Sequence, residues 1–273
     1  MRAVRHALVT GGSSGIGRAL AGALVAQGAD VTLIARSQVG LSQTVEELDR
    51  ALQTGQRLLA LSADVSDRTA IERAIGTSLH SMGAPDLVAC CAGMCHPGRI
   101  GELDVEVFER TNAVNYLGTV YTVLACLPAM QRAGGGHLVL MSSGAGLVGI
   151  TGYAPYSPTK FAVRGLGEVL RADLQPYGIG VSVVYPPDTD TAQLHYERRF
   201  KPPETSAITA GARVLSAQQV AHTILRGVAR QRFAITPGWE MRLLEPLASV
   251  LKPVLFRYFD RLANAARSKA AQP

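Results

Sequence analysis

The stretch HALVTGGSSGIGRALAGALVAQG, residues 6–28, constrains the fold of this 273-residue chain more than any other segment. A short apolar run meets a glycine-rich turn, and a helix-length segment follows at once. Glycine permits a tight turn and close backbone approach. The helix N-terminus that comes next supplies N–H groups and a positive dipole end. A glycine triplet alone is a weak signal. Between a strand and a helix, at the start of a βαβ unit, it reads as a seat for a pyrophosphate.

The alternation continues down the chain. Strands are expected at 6–10, 30–35, 57–63, 86–92, 137–142 and 179–185, several apolar almost throughout, as strands buried on both faces should be. Helix-length patterns such as 39–53 and 67–82 lie between them. Strand–helix–strand repetition implies right-handed crossovers. The expected fold class is therefore α/β, a Rossmann-type doubly wound parallel β-sheet flanked by helices. After about residue 190 the alternation gives way to loops and helices, ending in a basic, polar helical C-terminal extension.

Composition narrows the class of partner. A length of 273 residues with 47% apolar and 18% charged residues suits one globular core. No run of ~18 uninterrupted apolar residues suggests a spanning helix. The N-terminal MRAVRHALVTGG leads straight into a strand and leaves no room for a signal peptide, so the expected location is cytoplasmic. Cys90, Cys91, Cys95 and Cys126 lack paired metal-ligand spacing and read as reduced thiols, with no metal. The net charge of +6 comes from scattered basic residues without an aromatic platform, which argues against nucleic acid.

The end of the second expected strand selects the nucleotide. An acidic residue there normally takes a free ribose 2′-hydroxyl. This chain has Arg36 and then Ser37. A guanidinium can grip a 2′-phosphate through two parallel hydrogen bonds, so the expected cofactor is NADP(H).

A second motif carries the chemistry. In APYSPTK, residues 154–160, Tyr156 and Lys160 stand four residues apart, on one face of a helix. Pro155 and Pro158 are tolerable if this is the helix's first turn, where backbone N–H groups lack internal partners. A phenol with pKa ~10 is a slow acid near neutrality, and a nearby ammonium is expected to pull that value down. Upstream, MSSGAG ends another strand with Ser143, which can share the grip on one carbonyl oxygen with Tyr156.

Together these residues resemble the short-chain dehydrogenase/reductase family over roughly 6–192. TGGSSGIG matches its glycine motif, which assigns Gly11, Ser13, Ser14, Gly15, Ile16 and Gly17 to the cofactor. Ser143, Tyr156 and Lys160 match its catalytic set, and Asp64–Val65 its adenine contact. The resemblance implies that Tyr156 donates the proton, Ser143 polarises the carbonyl, and Lys160 lowers the phenol and binds the nicotinamide ribose. It implies that Asn115, in AVNYLG, holds a relay water, and that Pro186 and Thr191, in YPPDTDT, line the nicotinamide end. Two departures stand out. The family's Asn-Ala-Gly is Cys91-Ala92-Gly93 here, which keeps Ala92 and Gly93 among the cofactor contacts and loses an amide. Its Pro-Gly is Pro186-Pro187. Pairing as a homodimer or homotetramer, through the helices carrying Asn115 and Tyr156, is implied by the same analogy.

Within the family, CAGM at 91–94, NYLGTVY at 115–121, FAVRGLGE at 161–168, YPPDTDT at 185–191 and KPPET at 201–205 resemble the branch that reduces the 3-ketone of a long-chain amino alcohol. The expected substrate is thus a lipophilic small-molecule ketone, held in a greasy channel walled by about 188–212 and the C-terminal helix. The alternatives are a reductase of another lipophilic ketone, such as a 3-oxoacyl thioester or steroid-like alcohol, and a non-catalytic NADP(H)-binding regulator. The domain division expected is 1–240 for cofactor and catalysis and 241–273 for a basic amphipathic extension. Leu243, Leu244, Leu247, Val250, Leu251, Val254, Leu255, Tyr258, Phe259 and Leu262 form its apolar stripe, with basic residues in excess. That stripe either docks on the protein or a sister subunit, or lies on an anionic membrane.

Overall fold

The computed structural model describes residues 4–270. Residues 1–3 and 271–273, the ends of the two expected domain spans, lie outside the described residues.

β1 (His6–Thr10) is fully buried and ends in the glycine turn. α1 (Gly15–Ala26) follows, burying Leu20, Ala21, Leu24 and Val25 along one stripe. β2 (Asp30–Ala35) leads to α2 (Gln38–Asp49), whose first turn is fixed by Ser37 accepting from the Gly40 N–H at 3.1 Å. β3 (Leu58–Ser62) leads to α3 (Arg68–Met82), capped by Asp67 accepting from Ala70 N–H. β4 (Leu87–Cys90), α4 (Val105–Asn112) and α5 (Gly118–Arg132) follow, with a five-residue π turn at Ala113–Leu117 between the two helices. β5 (Gly136–Met141), α6 (Tyr156–Asp173) and β6 (Ile179–Val184) complete the expected alternation. The six expected strands are present to within two residues at each end.

Beyond residue 188 the chain adds β7 (Thr189–Asp190), α7 (Ala192–Phe200), α8 (Pro203–Thr209), β8 (Leu215–Ser216), α9 (Ala217–Ala229), β9 (Ala234–Ile235) and α10 (Trp239–Ala270). The main sheet is parallel, in the order β3-β2-β1-β4-β5-β6-β9. The chain leaves β1 for β2 on one side and later returns to place β4 on the other. A crevice therefore opens at the carboxyl ends of β1 and β4, where such sheets hold ligands.

Two cores follow from the alternation of side chains on the strands. Val9, Val31, Leu33 and Val139 face α1, α2 and α9, meeting Leu24, Leu41 and Ile224. Leu8, Ile34, Val88 and Leu140 face α3, α5 and α6, meeting Ile75, Cys126 and Val163. By length and composition Val105–Arg132 could cross a bilayer, although no such span was expected from the sequence. Half of its apolar window is buried here, and α5 packs on α3 as a core helix of the fold.

α10 runs through Pro246 and Pro253 as one helix. Its inner face buries Ala248 and Ala263 and packs Leu244, Leu255 and Phe259 toward Leu147, Val148 and Tyr185. Its tie to α8 is electrostatic as well as apolar. Glu204 is fully buried, accepts from Arg99 Nε at 2.8 Å and lies 3.7 Å from Arg267 of α10. The hydrogen bond from Arg99 is the main cause that holds its carboxyl below the usual range. A carboxyl lowered in the fold stabilises above its unfolded pKa, ~4.3 for glutamate, and loses that contribution as pH falls through the folded value. Glu204→Gln should lower the melting temperature at pH 7 and make stability less dependent on pH below about 4.3. Identical acid-side melting curves for both proteins would contradict this role.

Candidate active site

The glycine turn is built for close approach. Gly11 has φ +68°, and a Cβ there would sit 2.7 Å from the Ala92 backbone nitrogen. A Cβ on Gly17 would strike the Gly11 carbonyl, and one on Gly15 (φ +53°) would press on Thr191 at 3.1 Å. The segments after β1, β4 and β7 thus converge on the start of α1. Ser14, which begins that helix, makes no side-chain cap, so its first N–H groups stay open to a ligand. These features fit the pyrophosphate of a dinucleotide.

A cleft of about 390 Å³ extends from this turn. Of the residues predicted from sequence, Gly11, Ser14, Gly15, Ile16, Gly17, Ala92, Gly93, Ser143, Tyr156, Lys160, Pro186 and Thr191 line it. Ser13, Arg36, Asp64, Val65 and Asn115 do not. Ser13 accepts from Thr44 of α2 through its carbonyl, and Arg36 lies 3.8 Å from Asp64 with half its side chain exposed. Val65 is buried, in the path of any Cβ added at Gly118.

The chemical end begins with α6. Pro155 precedes its first residue, Tyr156, and Pro158 falls in the first turn, where a proline removes no helical hydrogen bond. Tyr156 and Lys160 share one face, and Lys160, 3% exposed, donates to the Met141 carbonyl at the end of β5 at 2.9 Å. Beside it Ser142 donates to the Lys160 carbonyl at 2.8 Å, locking α6 to β5. Ser143 sits in extended backbone, accepts from Ala145 N–H at 3.2 Å, and is steadied by Gly144 N–H donating to Pro186 O.

The electrostatics correct one expectation. The Tyr156 hydroxyl lies above its ordinary range, not below it. Burial pushes that hydroxyl well above its ordinary range, Cys95 and Glu197 add to the rise, and contacts with Ser143 and Gln193 only oppose it. The side chain keeps some surface open to the cleft while its hydroxyl is desolvated. The Lys160 ammonium stands over the face of the Tyr156 ring, 5.4 Å from its centroid. Lys160 is itself lowered to about 8 by burial, against the raising influence of Cys95, Cys91 and Glu197. The phenol is therefore neutral around pH 7, the form of a proton donor.

Asn115 lies in the π turn, a distortion that often marks functional sites. Its side chain accepts from Met94 N–H at 2.8 Å and donates to Met94 O and Thr159 Oγ1. It clamps the loop after β4 beside Lys160: a Cβ on Gly93 would lie 3.4 Å from Asn115 Oδ1 and 3.6 Å from Lys160 Nζ. The Cys91 thiol is raised to about 12 by burial and is inert as a nucleophile.

The far wall of the cleft is apolar, formed by Val148, Ile150, Leu194, Ile208, Leu244 and Phe259. Sequence reasoning missed three polar residues there: Tyr153, Gln193 and Glu197. Only the four-residue spacing of Gln193 and Glu197 on a helical pattern hints that they share a face.

The comparisons agree with this geometry. The family model described as short chain dehydrogenase matches residues 5–201, and the chain belongs to the short-chain dehydrogenase/reductase family. It is an oxidoreductase of the CH–OH/C=O couple that uses a nicotinamide cofactor. Among its relatives, the 3-ketodihydrosphingosine reductase of Bos taurus is 39% identical over 251 residues, covering 91% of this chain and 76% of that protein. The enzyme of the same name from Dictyostelium discoideum is 37% identical, covering 94% and 82%. A solved alcohol dehydrogenase from Thermococcus sibiricus, complexed with 5-hydroxy-NADP, superposes with TM-score 0.72 at 27% identity, covering 85% of this chain and 95% of that one. A short-chain dehydrogenase/reductase from Burkholderia phymatum in complex with NAD shares the fold at TM-score 0.79 and 24% identity, covering 91% and 95%.

Proposed function

We propose that this chain is an NADPH-dependent reductase that converts 3-ketodihydrosphingosine to sphinganine, with Tyr156 as the proton donor. The observation that carries the reading is a single cleft with a neutral, desolvated phenol at one end and an apolar wall at the other. The named relatives support the same substrate. When bound, the dinucleotide supplies the hydride for the carbonyl carbon. Ser143 and Tyr156 grip the carbonyl oxygen, and Tyr156 gives it a proton as negative charge develops there. Lys160 holds the nicotinamide ribose, and a water beside Asn115 continues the proton path from it. The alkyl chain lies along the apolar wall, where each buried CH₂ contributes ~0.8 kcal/mol.

Arg36 supports the choice of NADPH. Its contact with Asp64 is a long, exposed ion pair, which holds little energy and leaves the guanidinium free to turn to a phosphate. In this reading 1–240 is the cofactor-binding and catalytic unit, and 241–273 is an extension that closes the substrate wall. Leu124 and Val169, exposed on α5 and α6, favour pairing of subunits there.

Purified protein given 3-ketosphinganine and NADPH should yield sphinganine, identified by mass spectrometry. Arg36→Asp should raise the Michaelis constant for NADPH ~10- to 100-fold, the weight of a charge-assisted contact, and leave that for NADH nearly unchanged. No product, or equal effects on both cofactors, would overturn the respective parts of this reading.

The outer face of α10 supports peripheral membrane contact. Trp239, Leu243, Leu247, Val250, Val254 and Tyr258 are all exposed and fall on one stripe, separate from the docked face. Arg257 and Arg261 continue that stripe, where anionic lipid would meet them. Full-length protein should float with anionic liposomes, and Val250→Asp with Val254→Asp should abolish flotation. Flotation of the variant as well would reject this face of α10, and no flotation of the wild type would reject the membrane role.

A further inference from the structure

Glu197 of α7 is 7% exposed and lines the cleft that holds Tyr156. Its Oε2 accepts from the Tyr153 hydroxyl at 2.7 Å, and its Oε1 from Gln193 Nε2 at 2.9 Å. The Cys95 thiol also lies within hydrogen-bonding reach. All these partners are neutral: burial, reinforced by Glu197, keeps the Tyr153 hydroxyl far above its ordinary range, and burial does the same for Cys95. The neighbouring Lys201 pairs instead with Asp188 at 3.5 Å. Among the described residues no lysine, arginine or histidine nitrogen comes within 4.0 Å of the Glu197 carboxyl.

A buried carboxylate with no direct ion pair is costly, and the neighbouring cation, Lys201, stands over the Tyr153 ring 5.6 Å from its centroid rather than on the carboxyl. Tyr153, Gln193 and the Cys95 thiol supply three donors, which leaves about one lone-pair position free, since a carboxylate accepts about four hydrogen bonds. Its position relative to the phenol matters as much. Gln193 touches both the Tyr156 hydroxyl and Glu197, and the Tyr153 and Tyr156 rings lie 5.7 Å apart. The carboxyl therefore stands beside the place where a carbonyl oxygen would meet Tyr156.

We propose that Glu197, oriented by Tyr153 and Gln193, binds a protonated amine on the carbon next to the reacting carbonyl, and so makes the cleft selective for α-amino ketones. The proposal rests on the reductase reading above and names the group that this site recognises in its substrate. The apolar wall accepts any long chain. The carboxyl distinguishes a charged amine from its acylated form, which has no charge to offer and presents a bulkier amide.

The test compares 3-ketosphinganine with its N-acetyl derivative in the wild type and in Glu197→Gln, a change that keeps the side chain's shape. The wild type should favour the free amine by at least ~30-fold in kcat/KM, and Glu197→Gln should erase that preference mainly through KM. NADPH affinity, followed by fluorescence, should stay unchanged. Equal losses on both substrates would assign Glu197 a merely structural role and overturn the proposal. If neither ketone is reduced, the reductase reading fails by itself. Calorimetric binding of dodecylamine against N-acetyldodecylamine, with NADP+ present, then decides the amine site. Tighter binding of the amine, lost in Glu197→Gln, supports it, and equal binding overturns it. If the variant does not fold, the wild-type comparison of the two amines decides alone.

Discussion

The desolvation of one phenol organises this molecule. Tyr156 begins α6, and its hydroxyl is walled from water by Ser143, Gln193 and the loop carrying Cys95. That environment exists because α6 is fastened to the end of β5 by Lys160 reaching the Met141 carbonyl and Ser142 reaching back to the Lys160 carbonyl. β5 in turn is an interior strand of the parallel sheet, and its register against β4 and β6 sets the depth of the site. Moving any of these pieces would let water reach the hydroxyl and return it toward the ordinary behaviour of a phenol.

Lys160 has a different place in this scheme from the one its spacing suggested. Two residues a turn apart share a helix face, but a shared face does not fix where an ammonium points. Here it donates to the Met141 carbonyl and stands over the ring, and burial is the largest influence on the phenol. Reduction of a carbonyl needs a donor that is protonated at rest, which this phenol is; the rise set by burial makes it a slower acid, and its contacts with Ser143 and Gln193 oppose that rise. A strong acid would have lost its proton before the substrate arrived.

The parts of the fold legible in sequence were those with a period or a turn chemistry of their own. Five of the six expected strands are apolar runs buried on both faces, β3 lying half-buried at the sheet edge, and glycines with positive φ or tight neighbours punctuate them. β9 escaped because two residues carry no pattern, and its existence depends on pairing with β6. The π turn escaped because it arises from packing around Asn115. Ser143, Tyr156, Lys160 and the glycine turn were readable because each sits at the end of a regular element. Tyr153, Gln193 and Glu197 were not, since their convergence depends on how α7 folds back over the cleft. α10 shows the same limit. Its sequence gives one broad apolar stripe, whereas the structure divides it between a face buried on α8 and the cleft and a face left open.

The most direct test of the central claim is the conversion of Tyr156 to phenylalanine, which removes the hydroxyl and keeps the ring under Lys160. Ketone turnover should fall by ~10²- to 10⁴-fold, the usual weight of a positioned acid, while the dissociation constant for NADPH stays within experimental scatter. Turnover at the wild-type rate would show that another group delivers the proton.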